Sequence, residues 1–347
     1  MTNHAILEED LAAILDRVGT SWKALQGGRI FFTGATGFIG RWMLESLRRA
    51  DEAHGLDLSV TLLTRDPDRF MSAYPELAGY PSFHAVRGDV LSLVPDGSAY
   101  THVIHAATDA SADLNENDPL RMFDTIVTGT RNTLEFARAA GAKRFYFLSS
   151  GAVYGAQPWT VERVGEDFMG GPDIATHRSS YGEGKRAAEM LCTIYRKQFG
   201  MDIVGARIFA LLGPMLNLDI HFAAGNFIRD AMARRKITVM SDGRAERSYL
   251  YAADMTEWLW AIFLRAAPGT NYNVGSEEAV SIADLARRTN KVLGGDGFDI
   301  LGQPDPGWNP GRYVPCTAKI RRDLGLIAQT GLDEAIRRTA AWNGWNR

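Results

Sequence analysis

Tyr181 and Lys185 stand four residues apart in the segment Tyr181-Gly-Glu-Gly-Lys185. On a helix, that spacing stacks the two side chains on one face. A nearby ammonium lowers a phenol's pKa toward neutrality, so Tyr181 becomes able to exchange a proton with a hydroxyl or carbonyl of a bound molecule. Placement gives the pair its meaning. Ser149 and Ser150 end the apolar segment KRFYFLSS (143–150). A strand ending there delivers a hydroxyl to the carboxyl edge of a sheet, where doubly wound folds bind their ligands.

A second constellation is Thr33-Gly-Ala-Thr-Gly-Phe-Ile-Gly40, which joins an apolar strand to a helix and places glycines at 34, 37 and 40. Gly34 allows a tight turn, Gly37 lets backbone N–H groups approach a pyrophosphate, and Gly40 permits close packing of helix on strand. The helix N-terminus adds partial positive charge where phosphates would lie. Such a turn predicts dinucleotide binding, with Thr36, Phe38 and Ile39 against the cofactor. An acid at the end of the second strand would bind the adenosine ribose, but the sequence there reads Leu63-Thr64-Arg65-Asp66. Arg65 can face a 2′-phosphate, which favours NADP(H) over NAD(H). Alternatively, Arg65 is a solvated loop residue and Asp66 is the ribose ligand.

The elements that must position these groups alternate. Apolar strands are read at 29–33, 58–64, within 82–90, at 101–107, 143–150 and 202–211, with helices after the glycine turn, over roughly 118–140 and over 180–199. This predicts an α/β fold: a doubly wound parallel sheet of the Rossmann type with a smaller C-terminal substrate-binding lobe. Residues 1–27 read as a leading helix. Residues 28–211 form the dinucleotide-binding domain, with 240–265 returning to it, and 212–239 with 266–347 form the second lobe.

Composition excludes other classes. The 38 basic and 41 acidic residues leave a net charge of -3, which gives no reason to expect nucleic acid or an anionic membrane as partner. The two cysteines, Cys192 and Cys316, fit no metal-ligand spacing and suggest a reducing compartment. The acidic N-terminus does not read as a signal peptide, and YLYAADMTEWLWAIFL is interrupted by Asp254 and Glu257. A soluble cytoplasmic protein is expected, with no metal.

TGATGFIG, SSGAVYG, YGEGK, RSYLYAAD and NYNVGSEE, in this order, resemble the extended short-chain dehydrogenase/reductases of the NAD-dependent epimerase/dehydratase group. The similarity runs from about residue 28 to about 325. It implies that Ser150 is the catalytic hydroxyl, Tyr181 the acid/base and Lys185 its partner, with Lys185 also on the nicotinamide ribose. Asp89 and Val90 match the adenine-contacting pair, and Ala106 and Ala107 line the cofactor. Arg247, Arg312 and Asn226 match positions facing the diphosphate of a nucleotide-sugar substrate. A homodimer through the helices near 118–140 and 180–199 is also implied, although Met190, Ile194 and Phe136 fit ordinary core packing equally well.

Departures from the group narrow the chemistry. Gly151 and Ala152 stand where dehydratases of the group carry an Asp-Glu pair, and decarboxylases tend to carry Glu at the second position. Dehydration and decarboxylation would need another acid, with Glu183, His177 and Asp109 as candidates. Ile126 and Ala210 replace asparagines common in the group, in a water relay and in a phosphate contact. What remains is hydride transfer at a sugar carbon. Reduction of a 4-keto sugar nucleotide is favoured over epimerisation with a retained NAD, and dehydration comes third. A non-catalytic dinucleotide-sensing scaffold would be expected to lose Ser150, Tyr181 or Lys185, and all three are present.

Overall fold

Strand β1 (Arg29–Thr33) shows why the sheet must lie inside. Its residues from Ile30 onward are all buried, with Ile30 and Phe32 in the hydrophobic core on one face and Phe31 in that on the other. The computed structural model describes residues 3–108, 111–219, 223–305, 307 and 309–346. Helix α1 (Asn3–Val18) leads into a 3-10 turn, Gly19–Leu25, and β1 then passes through the glycine turn into α2 (Phe38–His54). Next come β2 (Ser59–Thr64), the short helices α3 (Pro67–Ala73) and α4 (Pro75–Ala78), β3 (Phe83–Arg87) and β4 (His102–His105). Helices α5 (Ala112–Asn117) and α6 (Pro119–Ala139) precede β5 (Arg144–Ser150), α7 (Ser180–Phe199) and β6 (Ile203–Ile208).

The remaining elements are shorter. They are β7 (Leu211–Leu212), α8 (Ala223–Met232), β8 (Ile237–Val239), β9 (Glu246–Arg247), β10 (Leu250–Tyr251) and α9 (Ala252–Arg265). After these follow β11 (Asn271–Val274), β12 (Val280–Ser281), α10 (Ile282–Leu293), β13 (Phe298–Ile300), β14 (Arg312–Tyr313), α11 (Ala318–Leu324) and α12 (Leu332–Trp342).

Seven strands pair in the order β3-β2-β1-β4-β5-β6-β11, and every pairing is parallel. The order reverses between β1 and β4, so their carboxyl ends flank the crevice where doubly wound sheets bind ligands. Two boundaries differ from the sequence reading. The run 202–211 breaks after Ile208, and Leu211–Leu212 pairs instead with β10. Strand β11, assigned by sequence to the second lobe, is the seventh strand of the main sheet, in register from Asn271 opposite Gly205 to Val274 opposite Ile208. Four residues carry too little periodicity to reveal which sheet a strand joins.

Helix α9 explains its own apolar sequence: every residue from Ala252 to Phe263 is buried, Asp254 and Glu257 included. Helix α1 covers part of it. Arg17 pairs with Asp254 and with Glu257, each at 3.2 Å, and the Trp22 and Trp260 rings lie 5.0 Å apart. Asp10 of α1 accepts a 2.5 Å hydrogen bond from Tyr251 and pairs with Arg338 of α12 at 3.0 Å. The leading helix therefore ties the sheet's flank to the last helix of the chain. Among the described residues, no helix is long and apolar enough to cross a membrane.

Candidate active site

The three glycines of the first turn have different reasons to be glycine. Gly34 has φ +75°, and a Cβ there would sit 2.5 Å from the carbonyl carbon of Ala106; a Cβ on Gly40 would meet Ala35 Cα at 2.5 Å. These two positions are required by the fold, which presses the turn against Ala106 and Ala107 at the end of β4. Gly37 is exposed, and its Cβ would meet only the Gly34 carbonyl oxygen, at 3.6 Å. The fold does not need that space, but a ligand would. Gly37 is also the N-cap of α2 and offers no side-chain hydrogen bond, so the first amides of the helix, through Phe38, Ile39 and Gly40, have no side-chain cap. Thr36 is half-buried in the same turn.

Beneath the turn, His105 bridges Thr33 Oγ1 (2.7 Å) and Thr130 Oγ1 (3.0 Å), and Ala107 N–H donates to Thr33 Oγ1 at 3.3 Å. Burial, helped by the Lys185 charge, pushes the imidazole down to about 3, so His105 is a neutral strut. Three residues on in the chain, Thr108 Oγ1 is buried without a partner among the described residues. An orphaned hydroxyl, an uncapped helix and an open glycine together fit a dinucleotide.

At the far end of the turn, Asp66 is engaged as the cap of α3, accepting from Arg69 N–H at 3.1 Å. Arg65 is exposed, and its carbonyl accepts from Arg87, which itself pairs with Asp68 at 2.7 Å. Asp89 accepts from Leu91 N–H at 2.9 Å. Val90 turns its side chain into α6, where a Cβ on Gly129 would lie 2.8 Å from it, so only its backbone could meet an adenine.

Ser150 Oγ accepts from Ala152 N–H at 3.2 Å. Tyr181 is seated by Asn115, which accepts its N–H at 3.2 Å and donates to the Arg178 carbonyl at 2.8 Å. The expected ammonium effect on Tyr181 is corrected here. Lys185 Nζ lies 6.0 Å from the Tyr181 ring centroid and donates to the Leu148 carbonyl at 2.8 Å. Burial raises the Tyr181 phenol above its ordinary value, and the Ser150 hydrogen bond pulls it back down. Lys185 is lowered to about 8 by burial, against the opposing charge of Glu189.

The sequence reading missed a buried network behind this pair. Glu189 accepts from Ser149 Oγ at 2.6 Å and pairs with Arg207 at 2.7 Å, while Arg207 donates to the Tyr154 hydroxyl at 2.8 Å. Its one sequence signal is that Glu189 follows Lys185 by four residues and so shares its helical face. Also missed was Tyr313, whose hydroxyl lies against Gly151, 2.6 Å from where a Cβ on that glycine would be.

The substrate candidates separate. Arg247 donates to the Glu246 carbonyl at 2.8 Å and forms no ion pair among the described residues; on β9 it lies opposite Tyr313. Arg312 is paired with Glu246 at 2.6 Å and stacks over Trp159 at 4.2 Å, the salt-bridged state. Asn226 lies in the first turn of α8, half-buried, and its side chain forms no hydrogen bond among the described residues. Of the alternative acids, Glu183 pairs with Arg186 at 3.5 Å and His177 sits 3.6 Å from Glu116; Asp109 lies outside the described residues. Ile126 is buried against Gly184 of α7, an apolar contact where a water relay was in question.

A doubly wound sheet with a glycine turn after β1, and Ser150, Tyr181 and Lys185 at the carboxyl side of its strands, is the Rossmann-type arrangement of the short-chain dehydrogenase/reductase kind. The chain belongs to the NAD dependent epimerase/dehydratase family, whose profile matches residues 30–275. It is 30% identical over 308 residues to UDP-glucuronic acid decarboxylase 6 of Arabidopsis thaliana, covering 89% of this chain and 86% of that protein. Its fold is shared with the UDP-glucuronic acid 4-epimerase of Bacillus cereus, solved with UDP-glucuronic acid and NAD (TM-score 0.76, 23% identity, 90% and 98% of the two chains). The dTDP-glucose 4,6-dehydratase of Streptomyces venezuelae, solved with NAD, is equally similar (TM-score 0.76, 21% identity, 90% and 96%).

Proposed function

We propose that the protein catalyses hydride transfer at a ring carbon of a nucleoside-diphosphate sugar, with net reduction of a 4-keto sugar as its reaction. The observation that carries this reading is the set Ser150, Tyr181 and Lys185 with Gly151 and Ala152 after the serine, Glu183 being paired with Arg186. A proton can be exchanged on a sugar oxygen there, while Gly151 and Ala152 bring no carboxylate for water elimination. Tyr181 gives or takes that proton, Ser150 holds the same oxygen, and Lys185, 6.0 Å from the Tyr181 ring and bonded to the Leu148 carbonyl, keeps a cation at the cofactor side of the site. A nicotinamide dinucleotide, when bound, supplies the hydride chemistry. The turn around Gly37, with Ala106, Ala107 and Asp89, would hold it, and Arg247 with Asn226 would take the substrate's diphosphate.

The engagement of Asp66 as a helix cap, with Arg65 beside it, supports NADP(H). Epimerisation with a retained NAD is the second reading, favoured by the NAD named in both solved structures above. Denaturing the purified protein and identifying any released nucleotide separates the two. An empty site that afterwards binds NADPH more tightly than NADH is expected. NAD+ recovered near one per chain would overturn the reductase reading and establish the second.

A further inference from the structure

We infer that Glu246 is a specificity-determining residue. By holding Arg312 it leaves Arg247 as the one guanidinium that β9 and β14 offer to the substrate's phosphates, and so limits the preference for a diphosphate over a monophosphate. The geometry follows from strand register. In the sheet β12-β9-β14, Glu246 stands opposite Arg312 on one side and Ser281 on the other, while Arg247 stands opposite Tyr313. Successive side chains on a strand point to opposite faces. Glu246, Ser281 and Arg312 therefore share one face. Arg247 shares the other with Tyr313, whose hydroxyl comes against Gly151, the residue after Ser150. Arg247 thus looks toward Ser150 and Arg312 looks away. A cavity of about 800 Å³ opens on the second face, where Glu246 and Ser281 line it with Trp159, and Arg247 is not among its walls.

Arg312 is held at three points. Its Nε donates to Glu246 Oε2 at 2.6 Å, its Nη1 donates to the Trp159 carbonyl at 3.3 Å, and its guanidinium lies 4.2 Å from the Trp159 ring centroid. The Trp159 segment is itself fixed there, because Gln157 pairs with Arg312 through the backbone and its Oε1 accepts from Val314 N–H at 2.9 Å. Glu246 serves Arg247 differently. Its backbone carbonyl accepts from Arg247 Nη1 at 2.8 Å, which orients that guanidinium without neutralising it. The Glu246–Arg312 pair carries no net charge, so an anion beside Arg247 meets one positive charge from these two strands. A diphosphate exceeds a monophosphate mainly in negative charge and in oxygens to be held, and one cation distinguishes the two less than a pair would.

The inference rests on the nucleotide-sugar reading above, and its test keeps the two apart. The mono- and diphosphates of uridine, thymidine, guanosine and cytidine are titrated calorimetrically into the full chain. Glu246→Gln retains an oxygen for Arg312 and removes only the charge. It is expected to tighten diphosphate binding by about three- to tenfold, the scale of one charge acting through a partly solvated site, and to move the monophosphates less. Glu246→Gln/Arg312→Gln, which deletes the pair at constant net charge, should bind within about twofold of the wild type, whereas Arg247→Gln should weaken diphosphate binding roughly tenfold or more, the scale of a lost charge-assisted hydrogen bond. An unchanged ratio of diphosphate to monophosphate affinity in Glu246→Gln overturns the inference. So does a double variant as weak as Arg247→Gln, which would put Arg312 on the phosphates. If neither the wild type nor Glu246→Gln binds any of these nucleotides, the nucleotide-sugar reading itself fails and the inference falls with it.

Discussion

Lys185 carries the clearest consequence at the scale of single residues. Buried against Phe147 and the Leu148 carbonyl, it is lowered to about 8 because burial disfavours the ammonium more than Glu189 supports it. Its charge is therefore lost as pH rises through about 8. Since kcat/KM reports the free enzyme, we expect an alkaline limb with a midpoint near pH 8, absent in Lys185→Arg, whose guanidinium stays charged. A wild-type profile flat from pH 7 to 9.5 would show that turnover does not need this charge. Ser150, Tyr181 and Lys185 were legible in the sequence because spacing and strand ends encode them. Tyr313 was not, for it lies 132 positions after Tyr181 and comes against Gly151 only through the placement of β14.

At the scale of elements, α7 does two jobs on two faces. Its inward face carries Tyr181, Lys185 and Glu189, whereas Met190 and Ile194 are 59% and 41% exposed. Phe136 of α6 is core, packed 4.4 Å from Phe31, while Leu120 of the same helix is 70% exposed. Core packing, one of the two readings left open by periodicity, holds for Phe136 alone. We propose that the exposed apolar residues of α6 and α7 meet a second copy of the chain. Light scattering should then give about twice 38.2 kDa for the wild type and about 38.2 kDa for Met190→Lys. A monomeric wild type would remove the proposal. Helical periodicity shows that α7 has an apolar side; it cannot show whether the same chain or another one covers it.

At the scale of the whole molecule, α1 joins α9 and α12 through Asp10, whose carboxyl is raised to about 6 by burial, against the opposing Tyr251 hydrogen bond and Arg338 charge. The folded chain then holds this proton over a range where the unfolded chain, at about 4, has lost it. Its stabilising effect is present at low pH and disappears as pH rises through about 6. Asp10→Asn is neutral throughout, so its Tm relative to wild type should increase by roughly 1–3 °C between pH 5 and 7.5. A difference that stays constant with pH would rule out the linkage. The sequence by itself determined the sheet-and-helix alternation, the phosphate turn and the Tyr-Lys pair, because each is written in residues near one another and obeys a local period. The tertiary structure alone decided that β11 closes the main sheet, that Arg312 is paired with Glu246 while Arg247 has no ion pair among the described residues, and that burial raises Tyr181 instead of Lys185 lowering it. Those outcomes depend on which distant groups share a low-dielectric space, and no local pattern in the chain records that.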